Sequence, residues 1–317
     1  MKAAIFDKYG LPEVLRVDEV KKPSPNENEI LIKVKNCAVT SGDNRIRGAE
    51  FPRGFSFMAR LMFGVSAPRN KILGSSFSGI VENIGSKVTH FKVGDEVMGM
   101  TGVSFGAYAE YLTIAESKAV IKKPVAITHE DASAISFGGT TALFFLRDKV
   151  KISRGDKVLV NGASGAVGTN ALQIAKYYGA IVTAVCSSSN IELVKSLGAD
   201  KVIDYTKQDL IEEKDKYDIV MDTVGNIPVN KGLELLTEKG VLILVVAGLP
   251  EMLKFNKRII HGTAPEKKED LQFLVNLTQQ GKLIVVIDKV YRLEDIVDAH
   301  KHVATGHKKG NIVLQVS

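Results

Sequence analysis

A glycine turn set between an apolar run and a helical pattern constrains this chain more than any other feature. The run Lys157-Val158-Leu159-Val160 leads into Asn161-Gly162-Ala163-Ser164-Gly165-Ala166-Val167-Gly168, and residues 169–178 then carry helical periodicity. Strand, glycine turn and helix in that order form a seat for the pyrophosphate of a dinucleotide. The turn brings backbone N–H groups close to the phosphates, and the helix N-terminus adds a partial positive charge. The spacing departs from Gly-x-Gly-x-x-Gly, because position 163 is alanine. Taken alone it also fits an ordinary strand-to-helix turn. The next β-like run, 181–186, completes a βαβ unit of the right length.

The rest of the chain extends that unit. Continuous apolar runs at 158–160, 181–186, 201–203, 219–221 and 241–246 alternate with helical patterns at 170–178, 191–197 and 228–236. This rhythm predicts an α/β, doubly wound parallel sheet covered on both faces. The first third differs: short β-like runs at 30–35, 78–84, 95–99 and 107–114, punctuated by glycine and proline, predict a compact β-rich unit. Near the C-terminal end, helical patterns at 267–280 and 293–304 bracket a run at 283–287, and a strand at 311–316 follows. We expect a β-rich domain over 1–125, completed by 263–317, and a nucleotide-binding domain over 126–262.

Two cysteines, Cys37 and Cys186, are too few for a disulfide framework or a cysteine-built structural zinc site. The net charge of +6 is dispersed, as in Glu266-Lys267-Lys268-Glu269-Asp270, and gives no nucleic-acid site. The first seven residues include Lys2 and Asp7 with no long apolar core, and no run reaches transmembrane length free of charge. The expectation is a cytoplasmic protein without a membrane span.

The end of the second strand of a βαβ unit selects the cofactor. A carboxylate there pairs with the ribose of NAD and repels a 2′-phosphate. This chain has Ser187-Ser188-Ser189-Asn190, with its first acid at Glu192. That favours NADP, although the same residues also suit a loop that caps the next helix.

Several strings together resemble the medium-chain dehydrogenases/reductases, specifically their zinc-independent quinone oxidoreductase branch. They are Gly138-Gly139-Thr140-Thr141-Ala142, the glycine turn, Ala175-Lys176-Tyr177-Tyr178-Gly179-Ala180, Leu197-Gly198-Ala199-Asp200-Lys201-Val202-Ile203-Asp204-Tyr205, Asp222-Thr223-Val224-Gly225 and Gly310-Asn311-Ile312-Val313-Leu314. The resemblance implies a GroES-like catalytic domain, an inserted Rossmann domain, and cofactor and substrate in the cleft between them. It implies that Thr140 faces the nicotinamide and phosphate region. Gly162, Ser164, Gly165, Ala166, Val167 and Gly168 would form the pyrophosphate seat. Ser187, Ser188 and Tyr205 would meet the 2′-phosphate, Val224 the adenine side, and Val246, Ala247 and Gly248 the nicotinamide, with Asn311 also at the cofactor. Asn190 stands where NADPH-using relatives often carry lysine, which leaves NADH open as an alternative to NADPH. The resemblance also implies a homodimer.

Metal is the second decision. Zinc relatives carry a cysteine at the position of Thr40 and Gly-His-Glu where this chain has Gly74-Ser75-Ser76. Catalytic zinc needs about three Cys, His or carboxylate ligands, so no metal is expected. Hydride delivery to an electron-poor acceptor, a quinone or an enone, then needs only hydrogen-bond donors at the developing oxyanion. Thr40 is the candidate catalytic donor. Asp43, Arg47 and Phe51 are candidates for the substrate pocket, with Asp43 and Arg47 equally readable as a structural ion pair. Residues 51–62 read as a loop or short helix at the cleft mouth whose apolar side chains either shape a hydrophobic substrate pocket or pack the barrel, with packing the favoured expectation. Alcohol oxidation and a non-catalytic, crystallin-like NADPH-binding role are the alternatives.

Overall fold

Alternating apolar residues in the first third build an antiparallel sheet. In this computed structural model, which describes residues 1–317 except the Ile211 side chain, strands β1 (Lys2–Ile5) and β2 (Arg16–Glu19) form a small hairpin-like pair. The larger sheet starts with β3 (Glu29–Val39), the longest strand, whose apolar residues Ile30, Ile32 and Val34 face one buried side as period-two alternation requires. Helices α1 (Ser41–Gly48) and α2 (Ser56–Phe63) interrupt before β4 (Ser76–Ile84), β5 (Glu96–Met100), β6 (Tyr111–Ala115) and β7 (Val120–Lys122). β6 begins only at Tyr111 rather than at 107, because Ala107 and Tyr108 turn inward to hydrogen-bond the loop at Leu73 and Gly74.

A long buried helix, α3 (His129–Leu143), leads into the second layer system. There β8 (Lys157–Asn161), α4 (Ala166–Tyr177), β9 (Ile181–Cys186), α5 (Ile191–Ser196), β10 (Lys201–Asp204), β11 (Tyr217–Asp222), α6 (Val229–Glu234), β12 (Leu236–Leu244), α7 (Leu249–Met252) and β13 (Ile259–Ile260) follow in order. The sheet order is β10-β9-β8-β11-β12-β13, all parallel, so the expected doubly wound sheet is met. One helical pattern ran too far: Leu236 leaves α6 and pairs with Tyr217 as the first residue of β12. The same strand stops at Leu244, short of the expected 246.

The chain then returns. Helix α8 (Lys268–Gln279) packs Leu271, Leu274 and Val275 into the core that covers the parallel sheet. β14 (Ile287–Arg292), α9 (Ile296–Ala304) and β15 (Asn311–Gln315) go back to the antiparallel sheet, where β15 pairs with β3. Seven strands make up that sheet, in the order β14-β15-β3-β4-β5-β7 with β6 also on β3. Among the described residues no helix is long and apolar enough to cross a membrane.

Candidate active site

A cleft of 1280 Å³ lies at the C-terminal ends of β8, β9 and β11, and its far wall comes from the antiparallel sheet's loops. Each glycine of the turn has its own steric reason. Gly162 has φ +76°, and a Cβ there would lie 2.6 Å from both Thr223 and Val224. A Cβ on Gly168 would lie 2.1 Å from the Gly162 carbonyl oxygen, so helix and strand touch backbone to backbone. Gly165 differs: the nearest protein atom to its Cβ position is at 3.5 Å. It is the N-cap of α4, no side chain caps that end, and no acid occupies the first turn. The free N–H groups of Ala166 and Val167 and the helix dipole therefore face the cleft as an anion site.

The seat is braced from below and from the side. Asp222, fully buried at the end of β11, accepts from Asn161 Nδ2 at 2.9 Å and from the backbone N–H groups of Val224, Gly225 and Ile227 at 2.9–3.0 Å. From the returning C-terminal segment, the Gly310 N–H donates to the Ser164 carbonyl at 2.7 Å, and Gly310 bridges Gly165. That contact brings Asn311 and Lys308 into the lining. The Lys308 ammonium donates to the Gly310 carbonyl at 2.5 Å, and burial pushes its pKa down to about 8.

At the β9 end, Asn190 is buried and donates through Nδ2 to Ser164 Oγ at 3.0 Å, while Ser187 opens to the cleft. Ser188 does not. Its hydroxyl turns away to Asp204 and Thr206, because β10 lies beside β9 with Asp204 opposite Cys186. Donation from Ser188 and Thr206 holds the Asp204 carboxyl low, at about 2. Tyr205 lines the cleft as expected, and Thr206 and Lys207 line it beside Tyr205. Lys207 is a cation that strand-end reasoning missed, since it comes from the neighbouring strand.

Val224, Thr140 and Val246 lie in the lining, but Ala247 and Gly248 do not. Gly248 backs onto Arg53, and the Leu249 N–H donates to the Arg53 carbonyl at 2.8 Å. The wall there is supplied by Gly262, Thr263 and Ala264, just after β13. No sequence pattern marked them, because β13 is only two residues long.

Across the cleft, Thr40 caps α1. Its Oγ1 lies 2.6 Å from Asp43 Oδ2, and it accepts from the Asp43 N–H at 3.1 Å; Asp43 also accepts from the Thr40 N–H at 2.8 Å and the Gly74 N–H at 3.2 Å. This reciprocal capping box fixes Thr40 at the cleft. Burial pushes the Asp43 carboxyl above its ordinary range, against those donors. Asp43 and Arg47 are not an ion pair. Asp43 folds back to the cap, while Arg47 is buried outside the cleft and donates to the Gly10 carbonyl at 2.6 Å. Arg45, two residues earlier, does line the cleft. Phe51 also falls outside the lining, stacked on Phe63 at 5.9 Å, and it is Phe63 that reaches the cleft. The expectation that residues 51–62 pack the barrel is overturned: no residue of α2 is buried.

Behind Asp43 sits a polar cluster with unfilled valences. Tyr108 Oη, Arg47 Nε, Asn44 Oδ1 and both His300 ring nitrogens are buried without a hydrogen-bond partner. The Tyr108 and His300 rings meet edge to face at 5.8 Å. Burial, with Arg47 nearby, lowers the His300 pKa to about 3. The unfolded imidazole protonates near 6.5, so stability present above that pH is lost as pH falls toward 3. We expect wild-type unfolding free energy to fall by about 4 kcal/mol more than that of H300Q over this window. Equal slopes in urea titrations at stepped pH contradict it.

Among the described residues no group of three or more His, Cys, Asp or Glu is placed to hold a metal ion. Cys37 is buried within β3, and Thr40, Ser75 and Ser76 offer hydroxyls where zinc would need softer or charged ligands. These residues do not fit a catalytic zinc.

Residues 26–125 match the family model described as alcohol dehydrogenase GroES-like domain, and residues 197–314 match the one described as zinc-binding dehydrogenase. The chain is 33% identical to 2-methylene-furan-3-one reductase of Solanum lycopersicum, over 99% of this chain and 79% of that one. It is 31% identical to the chloroplastic NADPH-dependent alkenal/one oxidoreductase of Arabidopsis thaliana, over the same shares. The Escherichia coli quinone oxidoreductase complexed with NADPH superposes with a TM-score of 0.84 at 26% identity, over 100% of both chains. The chain belongs to the medium-chain dehydrogenases/reductases, in their quinone oxidoreductase branch.

Proposed function

We propose that the cleft binds NADPH and that the protein reduces quinones and α,β-unsaturated carbonyls without a metal. One observation carries the reading: a bare helix N-terminus with an unfilled Gly165 position faces a hydroxyl, Thr40, across one continuous cleft. Bound NADPH supplies hydride to the electron-poor carbon of the acceptor. The protein's part is positional and electrostatic. Gly165, Ala166 and Val167 would hold the pyrophosphate, with Lys308 as a nearby cation, and Thr140, Val246 and residues 262–264 would flank the nicotinamide end. The capping box holds the Thr40 hydroxyl at the cleft, 2.6 Å from Asp43 Oδ2, where it is the candidate donor to a substrate oxygen that gains charge. We assign the catalytic domain to 1–125 with 263–317, the cofactor domain to 126–262, and the working form to a cytoplasmic homodimer.

NADPH is preferred over NADH in this reading because Ser187, Tyr205 and Lys207 line the cleft and the stretch after β9 carries no acid before Glu192, although Lys207 also lies 3.7 Å from Asp204 and Asp209 shares the lining. Replacing Lys207 by alanine is expected to weaken NADPH binding about tenfold, a charge-assisted contact's worth, and to leave NADH unchanged. Fluorescence titration of both cofactors measures it; an equal loss for the two removes Lys207 from the 2′ site.

Steady-state NADPH oxidation with a quinone and an enone, with and without a chelator, tests the whole reading. Chelator-insensitive turnover of either acceptor is expected. Chelator-sensitive alcohol oxidation overturns it in favour of a dehydrogenase, and tight NADPH binding without turnover favours a non-catalytic role.

A further inference from the structure

Reduction of an enone needs a proton at carbon as well as a hydride, and one carboxyl at the cleft is free to supply it. Among the described residues the acids of the lining are Asp43, Asp209 and Glu266. Asp43 is buried and tied down by the Thr40 hydroxyl, the Thr40 N–H and the Gly74 N–H. Asp209 stands with Tyr205 and Lys207 beyond β10, the outer strand of the parallel sheet, on the side of the cleft away from Thr40. Glu266 lies on the segment between β13 and α8, directly after the 262–264 wall. Among the described residues no cation pairs with its carboxylate, and its nearest company is the backbone of Gly102.

Gly102 fixes where that carboxyl stands. A Cβ on Gly102 would lie 3.0 Å from Glu266 Oε2 and 3.3 Å from Oε1, so the bare backbone leaves the space that the carboxyl uses. Gly102 opens the short turn Gly102–Ser104 with φ +56°. The preceding residue, Thr101, donates its N–H to the Ser75 carbonyl at 2.8 Å, and Gly74 donates to Asp43 beneath Thr40. This run of contacts puts the Thr40 hydroxyl and the Glu266 carboxyl at one end of the cleft. Burial by the cleft walls pushes the Glu266 carboxyl above its ordinary range, against Lys118 in the turn before β7 and the Gly102 backbone. The turn 101–105 and the wall 262–265 add no charged group. On its own segment Glu266 is followed by Lys267 and Lys268, and the Lys268 ammonium is committed to the Glu116 carbonyl at 2.5 Å. Glu266 also stays open to solvent, from which a spent proton is restored.

We propose that Glu266 is the acid that protonates the α-carbon of an enone in this cleft, a role that rests on the reductase reading above. Hydride adds to the β-carbon, and the pair of the C=C bond moves toward oxygen to give an enolate. The Glu266 O–H bond then breaks, its proton goes to the α-carbon, the C=O bond re-forms, and the carboxylate takes a new proton from water. A quinone differs, because both of its protons end on oxygen, where water supplies them.

The test compares wild type with Glu266→Gln and Glu266→Asp on an open-chain enone, α-methylpentenone, and on phenanthrenequinone. In E266Q the ratio of enone to quinone turnover is expected to fall about 100-fold, through kcat and not KM, and E266D is expected to recover part of it. Wild-type enone turnover should fall as pH rises and Glu266 loses its proton, a limb that E266Q lacks. Wild type should give one enantiomer of the saturated ketone and E266Q a racemate, because water reaches either face of the enolate. Carboxyl NMR titration of the cofactor-free protein should show a glutamate above the ordinary range that is missing from E266Q. Equal losses on both acceptors overturn the proposal, as does an E266Q product as enantiomerically pure as that of the wild type. Wild type that reduces the quinone but not the enone also overturns it and leaves quinone reduction standing. Failure to oxidise NADPH with either acceptor removes the reductase reading itself, and this role with it.

Discussion

Gly168→Ala is expected to abolish NADPH binding and to destabilise the fold, whereas Gly165→Ala is expected to leave the apo fold intact and weaken the cofactor alone. The contrast follows from what each new methyl group meets. At 168 it would sit 2.1 Å from the Gly162 oxygen and 2.7 Å from the Ala163 Cα, both backbone atoms that cannot swing aside. Helix α4 would have to move off β8, at about 3 kcal/mol or more, and the anion site would open with it. At 165 the backbone is extended, with φ −82° and ψ 177°, which any residue adopts, and the nearest atom is 3.5 Å away. That methyl intrudes only on the space for a phosphate. Thermal melting should therefore shift for G168A and not for G165A, while NADPH affinity falls more than 100-fold in the first and roughly tenfold in the second. A G168A protein with the parent's melting temperature and affinity would falsify the assignment of the seat.

The second large effect belongs to Thr40. Thr40→Ala removes the hydroxyl proposed to meet the substrate oxygen and should lower kcat roughly 100-fold, the usual consequence of losing one oxyanion donor. Binding of NADPH should not change, because the cofactor seat lies across the cleft. The same substitution removes the cap of α1 and lowers stability by about 1 kcal/mol. Thr40→Ser keeps both the cap and the donor, so it should retain most of the turnover. If alanine and serine variants turn over alike, Thr40 is a helix cap and nothing more.

The sequence made the parallel sheet and its glycine turn legible because both rest on local patterns: short apolar runs, glycine spacing and helical periodicity. What it hid depends on which neighbour a residue acquires. Ser188 looked like a phosphate ligand until the β9–β10 register set Asp204 beside it. Lys207 and Lys308 reach the cleft from a neighbouring strand end and from the C-terminal return, which no local spacing announces. Arg47 and Asp43 stand one helical turn apart, the separation of an ion pair, yet the cap of α1 claimed the carboxylate first. Helix α2 shows the converse problem. Its composition is that of a core segment, and only the fold reveals that the apolar side faces out.

The contact between Gly310 and the glycine turn ties the last strand of the chain to a site built in its middle. During synthesis the turn is made long before Gly310 leaves the ribosome, so for that interval the pyrophosphate site lacks one of its walls. A chain clipped before this point keeps every strand of its parallel sheet and loses the backbone wall that Gly310 sets against Ser164 and Gly165.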